Sequence, residues 1–370
     1  MRIAFDSQIF CLQRTGGISR YFCKLAEGLF DAENEVGIFA PYHRNLYLGA
    51  LPDGVVHGTG PHQYLPRTAG LMARVNALRA ERSLRTWVPE IVHETYFSPR
   101  PALSGHQPVV LTVFDMISEM PEFNPAGVVT RAQSSKYQAV MRADHIVCIS
   151  ESTRSDLLNI FDVDPRKTSV VHLGCELPQK NPQKDDVTQC SLPQSPYLLY
   201  VGQREGYKNF AALIQALGRS ASLKNKIHLV AFGGGPFSEE EQSLLRQSDI
   251  GVSFVSQMEG DDALLAQAYQ GATALVYPSV YEGFGLPPIE AMAYGCPVIS
   301  SNTSSMPEVI GNAAESFDPL QTEEISAAIE RVVFSNTRRS ELIRLGVLRA
   351  KLFSWQECAS KTATIYRDLL

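Results

Sequence analysis

The sequence predicts an α/β protein made of two domains with parallel sheets. With 370 residues, the chain is long enough for two such domains with separate cores. A strand, helix, strand unit is visible at 272–300, where two apolar runs flank a segment that opens with Pro287 and Pro288 and closes with Gly295. Parallel strands need this kind of helical crossover.

Domain boundaries follow from one stretch of unusual composition. Residues 177–196 are rich in Pro, Gln and charge and have no apolar periodicity, which indicates a linker. We therefore expect an N-terminal domain at 1–176 and a C-terminal domain at 197–350. The amphipathic end of the chain, 351–370, is expected to be a helix.

The composition limits the cellular compartment and the binding partners that we expect. The net charge of -6 argues against a nucleic-acid binder. The seven cysteines are scattered without metal-ligand spacing, and no stretch resembles a secretory signal or an apolar span of about 18 residues. We therefore expect a cytoplasmic protein in a reducing compartment, without a metal cluster.

The first candidate site is a glycine turn after the opening strand. Residues 2–6 form an apolar strand, and Gly16 and Gly17 lead into a helix at about 19–30. A helix start after a strand can bind an anion, which makes both glycines candidates for ligand contact. A tight turn without ligand is the alternative. Because the G-x-G-x-x-G pattern is missing, we exclude nicotinamide-dinucleotide binding.

A basic amphipathic segment follows at 67–85. A helical period places Leu71, Val75 and Leu78 on one stripe, with Glu81 as the only acid nearby. Arginines surround the stripe, at positions 67, 74, 79, 82 and 85. Such a helix can lie on an anionic membrane surface, or it can be an ordinary surface helix that packs on the sheet; the sequence leaves both open.

Two further strands of the first half end in polar residues. They cover 91–96 and 109–115. Because ligands bind at the carboxyl edge of parallel sheets, His93 and Asp115 are candidates to orient an acceptor. For His93, a buried histidine of the core is an equal alternative.

The second half opens with a strand at 197–202, which runs into a basic loop. Arg204 and Lys208 lie in this loop, just before a helix. Fixed cations stabilise the charge that builds on a departing phosphate, and two solvated basic residues are the alternative. Glycines that end strands in this half are expected to allow close packing against a nucleotide or to make plain turns: Gly202, Gly233 and Gly234.

The strongest site signal lies at 275–314. The loop 281–286 follows a strand, and a helix opens near Pro287, so its N–H groups and positive dipole end favour a diphosphate. Glu282 and Glu290 flank this position and can accept hydrogen bonds from sugar or ribose hydroxyls. Capping and dipole complementation are the alternative for a lone Glu. Three loop residues are candidates for donor contact: Phe284, Gly285 and Leu286.

The spacing Glu282-x7-Glu290 inside YEGFGLPPIEAMAYGCPVI, followed by SSMPEVIGNAA, closely resembles the donor-site signature of retaining GT-B glycosyltransferases of family four. The resemblance implies two Rossmann-like domains whose sheets face a cleft, and a terminal helix that crosses back to the first domain. It implies that Glu282 contacts the donor sugar and Glu290 the nucleotide ribose. It further implies that Arg204 and Lys208 neutralise the diphosphate.

The N-terminal segments FDSQIF and TGGISRYF resemble the start of bacterial family-four enzymes that build surface polysaccharides. The resemblance implies that the loop of Gly16 and Gly17 faces the donor phosphates and the acceptor. With REGYKNF, these segments look most like O-antigen and exopolysaccharide mannosyltransferases. The resemblance implies GDP-mannose as first donor, a UDP-hexose as second, and a saccharide or polyprenyl-diphosphate-linked acceptor. It implies retention at the anomeric carbon, no metal and no cofactor beyond the nucleotide sugar as co-substrate. Phe114 departs from the family, which commonly has a His there over the donor sugar.

Two other functional classes stay open. A nucleotide-sugar 2-epimerase uses the same scaffold, and would show acid/base residues in the cleft and no basic amphipathic face. A member that binds donor without transferring it, as a partner in a polysaccharide complex, is suggested by Phe114. The retained Glu282, Glu290 and Lys208 argue against that class.

Overall fold

The computed structural model describes residues 1–124, 131–177 and 192–370. The described chain divides into two compact units, one made of Met1–Gly174 with Trp355–Leu370 and the other of Cys175–Ser354. Most of the predicted linker, 177–196, lies outside the described residues. No helix in the described part of the chain is both long enough and apolar enough to cross a membrane.

The first unit is built on a parallel six-stranded sheet, ordered β2-β1-β3-β4-β5-β6. Its strands are β1 (Arg2–Phe5), β2 (Glu35–Ile38), β3 (Ile91–Glu94), β4 (Val109–Val113), β5 (His145–Cys148) and β6 (Thr168–Val170). They are short and mostly buried, as expected of a parallel sheet that helices cover on both faces. The strand order reverses between β1 and β3, so the crevice at this switch point lies where those two strands end.

Six helices surround this sheet in the described residues. They are α1 (Gln8–Leu12), α2 (Gly17–Asp31), α3 (Ala69–Trp87), α4 (Arg131–Arg142), α5 (Glu151–Ile160) and, from the end of the chain, α13 (Trp355–Leu369). Helix α13 packs on α2, where a Cβ built on Gly28 would lie 2.8 Å from the Cβ of Ala359, so this close approach needs glycine. The terminal helix therefore belongs to the first unit, which confirms the predicted return of the chain.

Helix α3 packs through a face that its apolar pattern did not indicate. Its buried residues are Asn76, Ala80 and Leu84, whereas Leu71 and Leu78 of the predicted stripe are 62% and 70% exposed. The buried face is set by Asn76, whose side chain accepts a hydrogen bond from the N–H of Tyr42 at 2.7 Å and donates one to its carbonyl at 3.1 Å. The two leucines are consequently directed away from the sheet, among the exposed arginines.

The second unit is also built on a parallel six-stranded sheet, ordered β12-β11-β10-β7-β8-β9. Its strands are β7 (Tyr197–Val201), β8 (His228–Phe232), β9 (Val255–Met258), β10 (Ala274–Tyr277), β11 (Val298–Ser301) and β12 (Glu315–Phe317). Its helices are α6 (Phe210–Arg219), α7 (Glu239–Gln247), α8 (Asp262–Gly271), α9 (Leu286–Ala293), α10 (Met306–Ile310), α11 (Thr322–Val333) and α12 (Asn336–Ala350). Counted from β7, this is the Rossmann order 3-2-1-4-5-6, with its switch point between β7 and β10. The predicted α/β class with two parallel sheets is confirmed.

Candidate functional site

The candidate site lies at the switch point of the second unit. Strands β7 and β10 are neighbours, with Leu198 and Leu199 in register with Ala274 and Leu275. The loop after β7 carries Lys208, and the loop after β10 carries Glu282. Their carboxyl ends therefore bring together two segments that are far apart in sequence, at the place where sheets of this order bind ligands.

Lys208 and Glu282 form an ion pair. The ammonium nitrogen of Lys208 lies 2.8 and 3.0 Å from the two carboxylate oxygens of Glu282, with side chains 20% and 9% exposed. The backbone N–H of Val280 donates to the carbonyl of Tyr207 at 2.7 Å, which ties the two loops together. Asn209 caps the basic loop by donating to the carbonyls of Pro278 and Pro319. Two predicted site residues are thus fixed in mutual contact and still reach the surface.

Hydroxyl side chains after β11 brace the loop of Glu282. The N–H of Glu282 donates to Oγ of Ser304 at 2.9 Å, and Oγ of Ser305 donates to the carbonyls of Glu282 and Phe284 at 2.9 and 3.1 Å. Thr303 donates in the same way to the carbonyl of Val280 at 2.7 Å. These bonds hold the backbone of the loop, so the position of the Glu282 carboxylate does not depend on its ion pair alone.

Tyr277, the last residue of β10, contacts both members of the ion pair. It is 2% exposed, and its ring lies 5.8 Å from the Lys208 ammonium. Burial raises the pKa of Tyr277 well above its usual value, and the charge of Glu282 and a hydrogen bond to that carboxylate raise the pKa further. Tyr277 therefore stays a neutral donor, positioned to orient Glu282.

Helix α9 begins directly after this loop. Gly285 occupies its N-cap with φ +97°, a conformation that favours glycine, and a Cβ there would lie 2.3 Å from Cε of Met306, so the end of that side chain would have to move. Leu286 is the first residue of the helix. The ring of Phe284 is buried against Phe353, with centroids 5.6 Å apart, so its side chain serves packing and only its backbone faces the loop. The predicted donor contact of Phe284, Gly285 and Leu286 stays a prediction.

Glu290 lies in the second turn of α9. Its carboxylate accepts a hydrogen bond from the hydroxyl of Tyr269 at 3.2 Å, and Tyr269 is stacked on Tyr294. The side chain is half-buried. The structure therefore places Glu290 on the same helix that begins beside Glu282, while its predicted contact with a ribose stays a prediction.

Arg204 occupies a different environment from Lys208. Its side chain is 3% exposed and pairs with Glu241 at 2.6 Å, and its guanidinium also donates to the carbonyls of Gly233, Gly234 and Gly235. All three of its nitrogen atoms contact protein acceptors, which contradicts its predicted role as a cation that neutralises the diphosphate. Arg204 instead holds the loop after β8.

The glycines around Arg204 have the conformations that this arrangement needs. Gly202, Gly233 and Gly234 have φ values of +126°, +87° and +77°. A Cβ on Gly234 would lie 2.7 Å from Nη1 of Arg204 and 3.1 Å from the carbonyl oxygen of Gly202. These glycines are therefore explained by loop geometry and the guanidinium, and their predicted contact with a nucleotide stays a prediction.

In the first unit, Gly16 and Gly17 begin α2 beside the carboxyl end of β1. Gly16 is the N-cap, and its carbonyl accepts from the N–H of Arg20 and the hydroxyl of Ser19. A Cβ on Gly17 would meet nothing within 4 Å. Glycine is thus not needed for space at Gly17, and its predicted role in facing donor phosphates and acceptor stays a prediction.

His93 is a core residue. It has no exposed surface, and its two ring nitrogens lie 2.6 Å from the Tyr366 hydroxyl and 2.9 Å from the Thr112 hydroxyl. Burial lowers the pKa of His93 from 6.5 to about 3, so the ring is neutral. The prediction that His93 orients an acceptor is therefore wrong, because both nitrogens are engaged inside the first unit.

Asp115 follows β4 and is half-buried. Its Oδ1 accepts from the N–H of Ile117 at 3.2 Å, and its carbonyl accepts from the ammonium of Lys136. Lys136 also pairs with Glu119 at 2.6 Å, with side chains 6% and 5% exposed. Asp115 thus lies at the predicted edge of the sheet, and its role toward an acceptor stays a prediction.

Several residues of these sites were not singled out from the sequence. Asp6, buried after β1, accepts hydrogen bonds from Gln8 and Thr95 and so joins the ends of β1 and β3; burial raises the pKa of Asp6. Tyr277 and Ser305 support Glu282 in the second unit. Asp6 directly follows a strand and Tyr277 ends one, which is the signal that could have found them, whereas Ser305 is the N-cap of α10. In the part of the chain that the structure describes, no group of three or more His, Cys, Asp or Glu side chains lies together as a metal site would.

Two family profiles match the chain, one on each half. The profile for "Glycosyltransferase Family 4" matches residues 15–178, and the profile for "Glycosyl transferases group 1" matches residues 185–346. The second match includes Lys208, Glu282 and Glu290.

Similar proteins agree with these profiles. The chain is 30% identical to the O-antigen chain mannosyltransferase B of Escherichia coli over 385 residues, which cover both chains completely. It is 30% identical to a serotype-specific mannosyltransferase of Escherichia coli over 59% of this chain and 28% of that protein. Among solved structures, sucrose-phosphate synthase from Thermosynechococcus elongatus matches with a TM-score of 0.75 and 21% identity, covering 99% of this chain and 98% of that chain. At this identity the structural match supports the fold alone.

Proposed function

Because this chain belongs to the glycosyltransferases of group 1 and family four, we propose that it transfers mannose from GDP-mannose to a saccharide during the synthesis of a cell-surface polysaccharide. The full-length match to an O-antigen mannosyltransferase supports the sugar and the pathway class. The observation that carries the proposal is the Lys208–Glu282 ion pair at the switch point of the second unit, next to the start of α9. That arrangement offers a cation, a helix start and a carboxylate to one ligand.

Each group has a separate part in the proposed reaction. Breaking the bond between the sugar and the diphosphate builds negative charge on the departing phosphate, which Lys208 and the positive end of the α9 dipole stabilise. Glu282 accepts hydrogen bonds from hydroxyls of the donor sugar, and Glu290 accepts from the ribose. We propose retention at the anomeric carbon by front-face attack, with the departing phosphate taking the acceptor proton. Arg204 acts only by holding the loop after β8.

We propose that transfer needs neither a metal nor a further cofactor. The charge that a metal would neutralise is met instead by the Lys208 ammonium and the start of α9. Chelator in the binding and transfer assays tests this point, since a chelator-sensitive reaction would overturn it.

The acceptor is proposed to be a saccharide linked to a polyprenyl diphosphate, bound by the first unit. Support comes from the outward face of α3, where Leu71 and Leu78 are 62% and 70% exposed. Exposed arginines lie among them at positions 74, 82 and 85. Apolar side chains flanked by arginines suit the interface of an anionic membrane, where a lipid-linked acceptor is found. We therefore propose peripheral membrane contact through α3.

Ligand binding tests the donor directly. Thermal unfolding is measured with GDP, UDP, ADP, TDP and their sugar conjugates, in the presence of chelator. A ligand at a hundred times its dissociation constant stabilises by about 2.7 kcal/mol, which gives a clear shift. A shift with GDP and GDP-mannose supports the proposal, and a shift confined to UDP compounds replaces the donor with a UDP-hexose. A shift without turnover of any nucleotide sugar identifies a non-catalytic partner that binds donor, and no shift at all contradicts the proposed donor site.

Two variants test the division of roles in the site. Glu290→Ala is expected to weaken nucleotide binding by about tenfold, because one hydrogen-bonded carboxylate is lost. Glu282→Ala is expected mainly to lower turnover. If both variants bind and transfer at the parent level, the two glutamates are wrongly assigned.

Vesicle sedimentation tests the membrane face. Arg74→Glu combined with Arg82→Glu is expected to release the protein from phosphatidylglycerol vesicles. Arg246→Glu is the control, since it reverses an exposed charge near the end of α7 in the other unit. Equal sedimentation of the double variant and the control would contradict membrane contact through α3.

A further inference from the structure

A pair of tyrosines is held rigidly beside α3 in the first unit. The hydroxyl of Tyr64 donates to the carbonyl of Tyr42 at 2.5 Å, and the fully buried Asn76 donates to both of these oxygens at 3.1 and 3.3 Å. The N–H of Tyr42 returns a bond to Oδ1 of Asn76 at 2.7 Å. The two rings are half-exposed, so their orientation is fixed while part of each surface stays open to solvent.

One guanidinium lies over each ring. The central carbon of Arg79 is 5.1 Å from the centroid of Tyr42, and that of Arg44 is 5.9 Å from the centroid of Tyr64. Within the described residues, neither arginine forms an ion pair with a carboxylate. A cation–π contact does not consume the N–H donors of a guanidinium, so both arginines can still bind an oxyanion.

The local charge agrees with an anionic ligand. The chain as a whole has a net charge of -6, but residues 42–85 contain six arginines against one aspartate and one glutamate. The single glutamate in this range, Glu81, pairs with Arg85 at 2.6 Å, not with Arg44 or Arg79. The positive charge of Arg44 and Arg79 is thus not balanced locally.

The position of this cluster connects two surfaces of the first unit. The N–H of Arg44 donates to the carbonyl of Phe10 at 3.1 Å, and the N–H of Leu46 donates to the carbonyl of Arg14 at 2.9 Å, so this segment runs along the chain that leads from β1 to α2. At 100° per residue, Arg79 lies on the flank of α3, between the exposed face of Leu78 and the buried face of Asn76. The cluster therefore lies between the proposed membrane face and the carboxyl end of β1.

We propose that Arg44 and Arg79, on the rings of Tyr64 and Tyr42, bind the diphosphate of the lipid-linked acceptor. This inference rests on the proposed function, because it assigns a site to the acceptor of that same reaction. A guanidinium can donate two or more hydrogen bonds to phosphate oxygens, so Arg44 and Arg79 together offer donors for both phosphates of a diphosphate. The lipid chain would extend toward the exposed leucines of α3, and the saccharide toward the loop of Gly16.

Binding of farnesyl diphosphate, a short soluble isoprenyl diphosphate, tests the site. The double variant Arg44→Gln and Arg79→Gln is expected to bind it about tenfold more weakly or worse, because charge-assisted hydrogen bonds are lost. The matched control is Arg100→Gln with Arg246→Gln, which removes the same charge from exposed positions outside α3 that touch no aromatic ring in the described structure, and which should bind as the parent does. Equal loss in both double variants would show a general charge effect and overturn the site.

Two further measurements exclude other causes of weaker farnesyl diphosphate binding. One detects a defect in the donor site or in folding, and the other detects binding of lipid headgroups. The GDP-induced thermal shift should be the same in all variants, so a defect in the donor site or in folding is recognised independently. Binding to phosphatidylglycerol vesicles distinguishes acceptor diphosphate from lipid headgroup: if the Arg44 and Arg79 variant loses vesicle binding but keeps farnesyl diphosphate binding, the arginines bind headgroups and the proposal is wrong. Loss of farnesyl diphosphate binding with an intact GDP shift supports it.

Discussion

The Lys208–Glu282 ion pair gives the sharpest test of the proposed site. Replacing Lys208 by Met keeps the length and the apolar part of the side chain but removes the charge. The Glu282 carboxylate, whose side chain is 9% exposed, then loses the cation that compensates for its burial. We expect both a loss of stability and a loss of catalysis, and the two can be measured separately.

The stability effect follows from the burial of the pair. Removing one partner of a fully buried ion pair costs about 3–5 kcal/mol, whereas an exposed pair contributes about 0–1 kcal/mol. With side chains 20% and 9% exposed, the pair falls between these limits, so Lys208→Met should lower the free energy of unfolding by about 2–3 kcal/mol. Adding Glu282→Gln should recover about 1–2 kcal/mol of that loss, because the buried charge is then removed.

Lys224 supplies the matched control. It pairs with Asp249 at 2.9 Å in the same unit, but its side chain is 33% exposed and that of Asp249 is 84% exposed. Lys224→Met should therefore cost less than about 1 kcal/mol and leave transfer unchanged. Urea unfolding gives the free energies, and transfer from GDP-mannose gives the rates.

The catalytic effect has a different cause. A fixed cation at the departing phosphate contributes about a hundredfold or more to the rate, so Lys208→Met should reduce kcat by at least that factor while it remains folded. If Lys208→Met is as stable as Lys224→Met, the pair is not desolvated as the structure indicates. If it also transfers mannose at the parent rate, the assigned role of the ammonium is refuted.

Three further predictions address residues around the site and the core. Tyr277→Phe should lower kcat about tenfold with little change in the donor KM, because the hydroxyl only orients the Glu282 carboxylate. The control Tyr197→Phe removes a buried hydroxyl at the start of β7 and should leave transfer unchanged. Gly285→Ala should weaken GDP binding and cost about 1–3 kcal/mol of stability, while Gly295→Ala, with φ +73° at the other end of α9 and no close neighbour, should leave binding intact. His93 takes up a proton near pH 6.5 in the unfolded state but only near pH 3 in the folded state, so the stability of the parent falls as the pH decreases between these values. From pH 7 to pH 5, the parent should therefore lose about 2 kcal/mol more unfolding free energy than His93→Gln does.

The second unit shows how much of a site local sequence can predict. Lys208 and Glu282 are 74 residues apart, yet each lies in the loop directly after an apolar strand. In a sheet of Rossmann order the first and fourth strands are neighbours, so the two loops have to meet. The strand pattern and the order of elements were therefore sufficient to place both residues at one edge of the sheet. The structure adds the distance between the Lys208 ammonium and the Glu282 carboxylate.

Arg204 and His93 show where that reasoning stops. Arg204 lies in the loop after β7 and His93 lies near the end of β3, but each has a partner that strand position does not reveal. Arg204 meets Glu241 from the start of α7, and His93 meets Tyr366, which is 273 residues away on the terminal helix. Whether a polar side chain points into a crevice or into the core depends on such partners, and no local pattern encodes them.

Helix α3 illustrates a different limit. Its apolar period selected the face of Leu71 and Leu78, but the packed face is built around the polar Asn76 and the small Ala80. Two hydrogen bonds between the Asn76 side chain and the backbone of Tyr42, one donated by each residue, compensate for the burial of a polar group, so the hydrophobic pattern was not decisive. The exposed leucines then need a role outside the core, and the proposed membrane contact supplies one.

Partial exposure is what separates the ion pair from the other charged groups at these sheet edges. Arg204 and His93 are closed off by protein partners, whereas the side chains of Lys208 and Glu282 are 20% and 9% exposed and remain within reach of a ligand. An ammonium has three donors, and the two oxygens of Glu282 engage only two of them in the pair. A phosphate oxygen can therefore be added to Lys208 without breaking the pair. The cation is held in place by Glu282 before the donor arrives, so the charge that develops on the diphosphate is met by a group that needs no reorganisation.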